Sequence, residues 1–183
     1  MILINKLLSS LFLFKQKISR ALQMCYIRQN LSNDSFQPII KGKIHWNATN
    51  VKFGKNVTLF PGVYLWGNNI EIGDNVSIGY NTLIYSKKKI KIGNNSSIAG
   101  HCFIIDSNHS TASGKLIREQ SLDVADNGIH IGEDVWIASQ CTIIKGACIR
   151  DHAIIGANSM VNKEISENAI AFGTPAKIVS YRK

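Results

Sequence analysis

Asp106-Ser-Asn-His109 is the segment of this chain best equipped to move a proton. Imidazole titrates near pH 6.5 and can take the proton of an attacking hydroxyl. A carboxylate three residues earlier could accept a hydrogen bond from the other ring nitrogen and fix the tautomer. An aspartate there is equally a turn-former. Asn81, in Gly79-Tyr-Asn81-Thr, carries an amide that both donates and accepts, which suits a reacting hydroxyl. Asparagine is also common at tight corners. Lys87-Lys88-Lys89 reads either as a rim for an acidic group or as a solvated turn. No serine or cysteine stands in a nucleophile motif, so these groups suit direct transfer rather than a covalent intermediate. No glycine-rich phosphate loop is present.

The elements that must position these residues declare themselves by period. From Ile131 to Val161 an aliphatic residue falls on every sixth position: Ile131, Ile137, Ile143, Ile149, Ile155 and Val161. Four residues after each of the first five stands a small or β-branched one: Val135, Cys141, Ala147, Ala153 and Ser159. A helix repeats at 3.6 residues and a strand at 2. Strict sixes with turn residues between them mark a parallel β-solenoid, one short strand and one corner per unit. The rule extends backwards through Phe53, Leu59, Leu65, then Ile72, Ile78, Ile84, then Ile92, Ile98, Ile104. Between these triplets the spacing becomes seven, then eight, then 27. With three units per triangular turn, every extra residue leaves at one corner, and the longest insertion begins at Asp106. Insertions stacked on one edge are where such solenoids build binding surfaces.

At 183 residues the chain has one domain's length, and its hydrophobic content of 45% fits a folded protein. Lys and Arg total 21 against 12 acidic residues, a net charge of +9. That excess favours an anionic partner or serves solubility. Nucleic acid is not expected, because no helix-turn-helix, zinc finger or aromatic RNA-binding motif accompanies the charge. Cys25, Cys102, Cys141 and Cys148 show no paired spacing and read as reduced thiols of a cytoplasmic protein, Cys102 and Cys141 in the core.

Residues 1–43 read as an N-terminal amphipathic helix, from 2 to about 28, and a connecting loop. Ile4, Leu8, Leu11, Phe14, Leu22 and Cys25 form its apolar stripe, with Lys6, Lys15, Lys17 and Arg20 mostly off it. The uncharged run Leu7 to Phe14 is shorter than the roughly 20 residues that span a bilayer. The helix either caps the solenoid or a neighbouring subunit, or makes peripheral contact with an anionic membrane through residues 2–28.

The segment IGEDVWIASQCTIIKGACIRDHAIIGANSMVNKEISENAIAFGTPAKIV closely resembles the hexapeptide-repeat acyltransferases, especially galactoside, maltose and polysaccharide O-acetyltransferases. Four landmarks recur in order over about residues 51–179: the Asn81 coil, the Asp106–His109 insertion, VWIAS and GTPAK. The resemblance implies an all-β fold, a left-handed parallel β-helix over residues 44–179 with a protruding loop at 106–128 and a tail at 180–183. It also implies a homotrimer with sites between subunits, acetyl-CoA as donor and a carbohydrate acceptor, such as a cell-surface polysaccharide or its precursor. No metal is expected.

By the same resemblance His109 is the catalytic base with Asp106 beside it, and Asn81 and Trp136 line the acceptor site. Trp136 could otherwise cover a flat subunit face. Ser139, Ala157, Asn162, Lys163 and Lys177 fall on the coenzyme A groove, although the family often has Thr at 162 and Arg at 177. Alternatives on the same prism are N-acetylation of a nucleotide-linked amino sugar, antibiotic acetylation and a non-catalytic scaffold. A zinc enzyme would have to draw on His101, His109 and His130. The expected location is the cytoplasm, with the inner membrane face as the helix's second option.

Overall fold

The computed structural model describes residues 2–183, with side chains described for all but 2–7, 9, 16 and 20. The six-residue period closes into a three-sided prism. Phe53, Ile72, Ile92, Ile131 and Ile149 stand in register on one wall, face I. Leu59, Ile78, Ile98, Ile137 and Ile155 stack on face II. Leu65, Ile84, Ile104, Ile143 and Val161 stack on face III. All fifteen point inward, and none exceeds 2% exposure. Strand pairing between coils is parallel throughout, so each backbone rung is satisfied by the coils below and above it.

The corners require backbone that ordinary residues avoid. Asn56, Asn75, Asn95, Asp134 and His152 adopt left-handed φ at the edge from face I to face II. Asn81, His101, Gln140 and Asn158 do so at the edge from II to III. Asn and Asp tolerate this region better than most side chains, which explains their recurrence between aliphatic sixes. Side-chain amides then stack from coil to coil: Asn56 donates to Asn75 at 3.1 Å, and Asn75 to Asn95 at 3.0 Å.

The third edge, from III to I, takes every irregularity. Residues 67–69 turn that corner within the continuous strand Tyr64–Ile72, and 86–89 and then 106–128 leave the prism above it. Gly128, at φ +69°, lies so close to the Lys89 carbonyl that a Cβ would stand 1.9 Å from it. Only glycine allows that approach.

Both ends of the prism differ from the boundaries expected. Ile39–Ile40 pairs with Thr58–Leu59, so the first rung begins inside the stretch read as a loop. The last strand, Ala176–Tyr181, runs past 179 and folds back antiparallel on Ala169–Gly173. Arg182 then bonds Asp134 at 2.8 Å and the His152 carbonyl at 3.0 Å. Arg182, with His152 beside it, holds the Asp134 carboxyl below the ordinary carboxylate range.

Among the described side chains, the helix Ile2–Gln29 meets the prism near its C-terminal end: Ile27 is fully buried, Met24 packs on the core, and Gln23 donates to the Ile44 carbonyl at 2.6 Å. Leu11, Ile18 and Leu22 lie on roughly the opposite side of the helix and are exposed, Leu22 by 66%. The apolar stripe therefore faces away from the chain's own body, and does not cap it. The side chains of Ile4, Lys6, Leu7 and Arg20, part of that stripe and its flank, lie outside the described set. All four cysteines are free, and Cys102 and Cys141 are buried as expected, each donating to a carbonyl of the next coil at 3.2 Å. The inward columns make a direct prediction. Ile143→Ala, at the middle of one column, should lower unfolding free energy by about 2–5 kcal/mol in chemical denaturation.

Candidate active site

Asp106 is completely buried at the foot of the long insertion. A buried carboxylate needs donors for its oxygens. It has four: the amides of Lys87 at 2.8 Å, Lys88 at 2.8 Å and Lys89 at 3.0 Å, and the Ser86 hydroxyl at 3.2 Å. Three successive N–H groups turned to one centre form an anion-binding concavity, here filled by a residue of the next coil. The tri-lysine corner thus turns its backbone inward to Asp106. The Lys87 and Lys88 side chains stand in solvent, while Lys89 pairs with Glu71 at 2.8 Å. The Asp106 carbonyl also accepts from Ala125 at 2.9 Å, closing the neck of the insertion.

From that neck rises a two-stranded antiparallel hairpin, Ser107–His109 against Leu122–Val124, with His109 opposite Leu122. Lys145, one coil up, forms an ion pair with Asp123 and braces the second strand. The Gln120 side chain bonds Ala112 at 3.0 and 3.1 Å and the Lys115 carbonyl at 3.1 Å, tying the tip. His109 is exposed, and among the described residues its ring has no hydrogen-bond partner within the chain. The expectation that Asp106 fixes its tautomer is therefore corrected. The carboxylate is already committed to the corner below, and it acts on the hairpin's footing rather than on the ring.

The remaining expected site residues fall into two groups. Asn162 and Lys163 are exposed on the same III-to-I edge as His109, above Gly146. Asn81, Ser139 and Ala157 belong to the II-to-III edge, where the Ser139 carbonyl accepts from Asn158 at 3.0 Å. Trp136 projects from face II, 52% exposed, between Ser97 and Ile154. Lys177 lies on the return strand opposite Phe172. Face III separates the two groups, so one chain does not bring His109 and Asn81 together. His101, His109 and His130 likewise sit on the II-to-III edge, the hairpin and face I, and do not converge. On face I, burial and then the Lys91 charge hold His130 below its usual range.

One groove, about 490 Å³, runs along the I-to-II edge past Lys52, Glu71, Lys91 and Asp151, away from the hairpin. A second, about 430 Å³, lies behind the hairpin neck between Asp126, Lys145, Arg150 and Glu164. Both are open channels, and the chemistry-bearing residues line neither. Sequence reasoning missed the donors to Asp106, because a carboxylate bonded to main-chain amides of an earlier coil leaves no side-chain pattern. Replacing Asp106 with Ala should strand three part-buried amides and the buried Ser86 hydroxyl and cost about 3 kcal/mol in denaturation. Asp106→Asn, which keeps acceptor capacity, should lose less.

The description "bacterial transferase hexapeptide (six repeats)" matches residues 128–163. The chain is 32% identical over 142 residues to WbbJ of Escherichia coli, named as an O-acetyl transferase of lipopolysaccharide biosynthesis; the match covers 73% of this chain and 72% of WbbJ. Among solved structures, a galactoside acetyltransferase in complex with coenzyme A superposes with TM-score 0.66 at 32% identity, over 70% of this chain and 64% of that one. AntD, an N-acyltransferase from Bacillus cereus solved as a variant with dTDP and coenzyme A, shares the fold with TM-score 0.70 at 18% identity, over 81% and 85%. The prism with its insertions on one edge is a left-handed parallel β-helix of this kind. The chain belongs to the hexapeptide-repeat transferase family and is an acyltransferase of that family.

Proposed function

We propose that this chain is an acetyl-CoA-dependent O-acetyltransferase acting on a hydroxyl of a cell-surface polysaccharide or its precursor, working as a homotrimer. One observation carries the reading: the chemistry-bearing residues are divided between two edges of one prism. A three-fold arrangement of prisms sets the His109 edge of one copy against the Asn81, Ser139 and Ala157 edge of the next, with Trp136 and Lys177 on the adjoining face. A site completed between copies gives a reason for the bare imidazole of His109 and for the absence of chemistry from either groove of the single chain.

In the proposed reaction the acceptor oxygen attacks the thioester carbonyl while the His109 imidazole takes its proton. The tetrahedral adduct collapses, the carbon–sulfur bond breaks, and the imidazolium returns the proton to the departing coenzyme A thiolate. Asn81 would orient the acceptor hydroxyl. The Lys163 and Lys177 ammonium groups would meet the coenzyme's phosphates as point charges, beside Asn162 and the backbone of Ser139 and Ala157. WbbJ supports a polysaccharide acceptor through its name and its identity to this chain. AntD, an N-acyltransferase, supports only the fold at its level of identity. An amino acceptor would appear as an amide in the product.

Among the described residues no helix is long and apolar enough to cross a membrane. The reading places the helix on the inner membrane face instead. Leu8, Leu11, Phe14, Ile18 and Leu22 form an exposed apolar stripe, and Lys15 and Lys17 follow the apolar run at once. An exposed stripe with basic residues beside it suits immersion in the headgroup region of an anionic surface.

Release of coenzyme A against a panel of glycans, nucleotide sugars and antibiotics tests the reaction, and product mass separates ester from amide. His109→Ala should lower turnover by about 10²–10⁴-fold while acetyl-CoA still protects the protein in a thermal shift assay. Near-normal turnover would end the assignment. Deleting residues 2–22 should leave the melting midpoint unchanged and abolish pelleting with vesicles rich in anionic lipid; unchanged pelleting would remove the membrane contact.

A further inference from the structure

The outward positions of three successive coils differ by face. Face II carries Thr58, Ser77 and Ser97, and face I carries Lys52, Glu71 and Lys91. On face III all three coils carry aromatic rings, the third through Phe103, which pairs with Leu83 rather than with the Trp66–Tyr85 column. Tyr64 and Trp66 project from one coil with centroids 6.0 Å apart at 28°, and Tyr85 covers Trp66 from the next coil at 4.9 Å and 27°. Trp66 keeps 42% of its surface exposed. The Trp66–Tyr85 column continues to Ile105, the residue before Asp106, and so ends at the root of the His109 hairpin. Lys87 sets its ammonium 5.4 Å from the centre of the Tyr85 ring.

Hydrophobic packing does not account for this strip, since its rings lie outside the core and stack on one another. Trp66 is exposed, with Tyr64 half-buried beside it along the strand and Tyr85 half-buried beside it on the next coil, and this ring surface suits the C–H faces of sugar rings. From Trp66 through Tyr85 to Ile105 the column crosses two rungs of roughly 4.8 Å each, longer than one pyranose. A cation at its upper end, with Lys88 beside it in solvent, adds attraction for carboxylate or phosphate.

We infer that Tyr64, Trp66, Tyr85 and Lys87 form an extended acceptor subsite, which holds an anionic glycan chain and leads one of its residues to the His109 hairpin. This rests on the proposed sugar acetylation and narrows its acceptor to an oligomer rather than a free monosaccharide. Trp66 and Tyr85 hold the chain by stacking, and Lys87 selects for its acidic groups. The arrangement spends little conformational entropy, because the rings already brace one another.

Calorimetric titration of the full chain with tetragalacturonate, with monogalacturonate and maltotetraose as comparisons, tests the subsite. The tetramer should bind saturably and at least several-fold more tightly than either comparison. Trp66→Ala and Tyr85→Ala should each weaken it by several-fold to about tenfold, and Lys87→Ala should flatten its salt dependence. All three variants should keep the melting midpoint and protection by acetyl-CoA. Absent saturable binding of the tetramer, or binding unaltered by Trp66→Ala, overturns the subsite. A Trp66→Ala protein that changes oligomeric state also overturns it, since the strip would then be a contact between copies. Tetramer binding through Trp66 without acetyl transfer to any sugar would leave the subsite standing and sink the proposed reaction. Transfer that ignores Trp66→Ala would do the reverse.

Discussion

Register between coils governs this molecule. Each coil hydrogen-bonds the ones below and above through parallel rungs, and each places three apolar side chains on the same three columns. A residue inserted within a strand would shift every inward side chain to the outside. Extra residues are therefore expelled at corners, and in this chain they collect at one. The location of the hairpin, of the tri-lysine turn and of His109 follows from that restriction before any chemistry is considered.

Asp106 shows how an expelled loop is kept rigid. A hairpin of three-residue strands has little stability by itself. Here its neck is clamped below by a carboxylate holding four donors of the preceding coil, and its far strand is braced from above by Lys145. Main-chain amides and the Ser86 hydroxyl satisfy the Asp106 oxygens, so the three lysine ammonium groups are left to other partners: Lys89 to Glu71, Lys87 to the Tyr85 ring and Lys88 to solvent. One acidic residue thus joins the regular prism to its irregular outgrowth.

The columns were legible in the sequence because an inward position tolerates almost nothing but an aliphatic, so Phe53 to Val161 can be read in sixes. The corners were legible because left-handed backbone selects Asn and Gly. Ile39–Ile40 was not, since a two-residue rung at the end of a prism has no neighbours from which to infer a period. Asp106 was half legible: its type suggested a partner, but backbone amides are available at every position and carry no signature. The helix was recognisable by its stripe, yet its docking rests on Gln23, Met24 and Ile27, off the stripe, where local periodicity points the wrong way. The period assigns Asn81 and Trp136 to their coils. Their separation from His109 depends on which edge each coil presents, and that becomes visible only when the prism is closed.

The return strand Ala176–Tyr181 has a consequence for assembly. An open stack of parallel rungs ends in a row of unmet amides and carbonyls, a template on which another molecule could continue the coil. Folding Ala176–Tyr181 back antiparallel, and locking it with Arg182 on Asp134 and His152, covers that row on face II. The end strand of that wall now runs against the direction of every coil, and its antiparallel hydrogen-bond spacing does not match a parallel rung, so a second prism cannot simply continue face II.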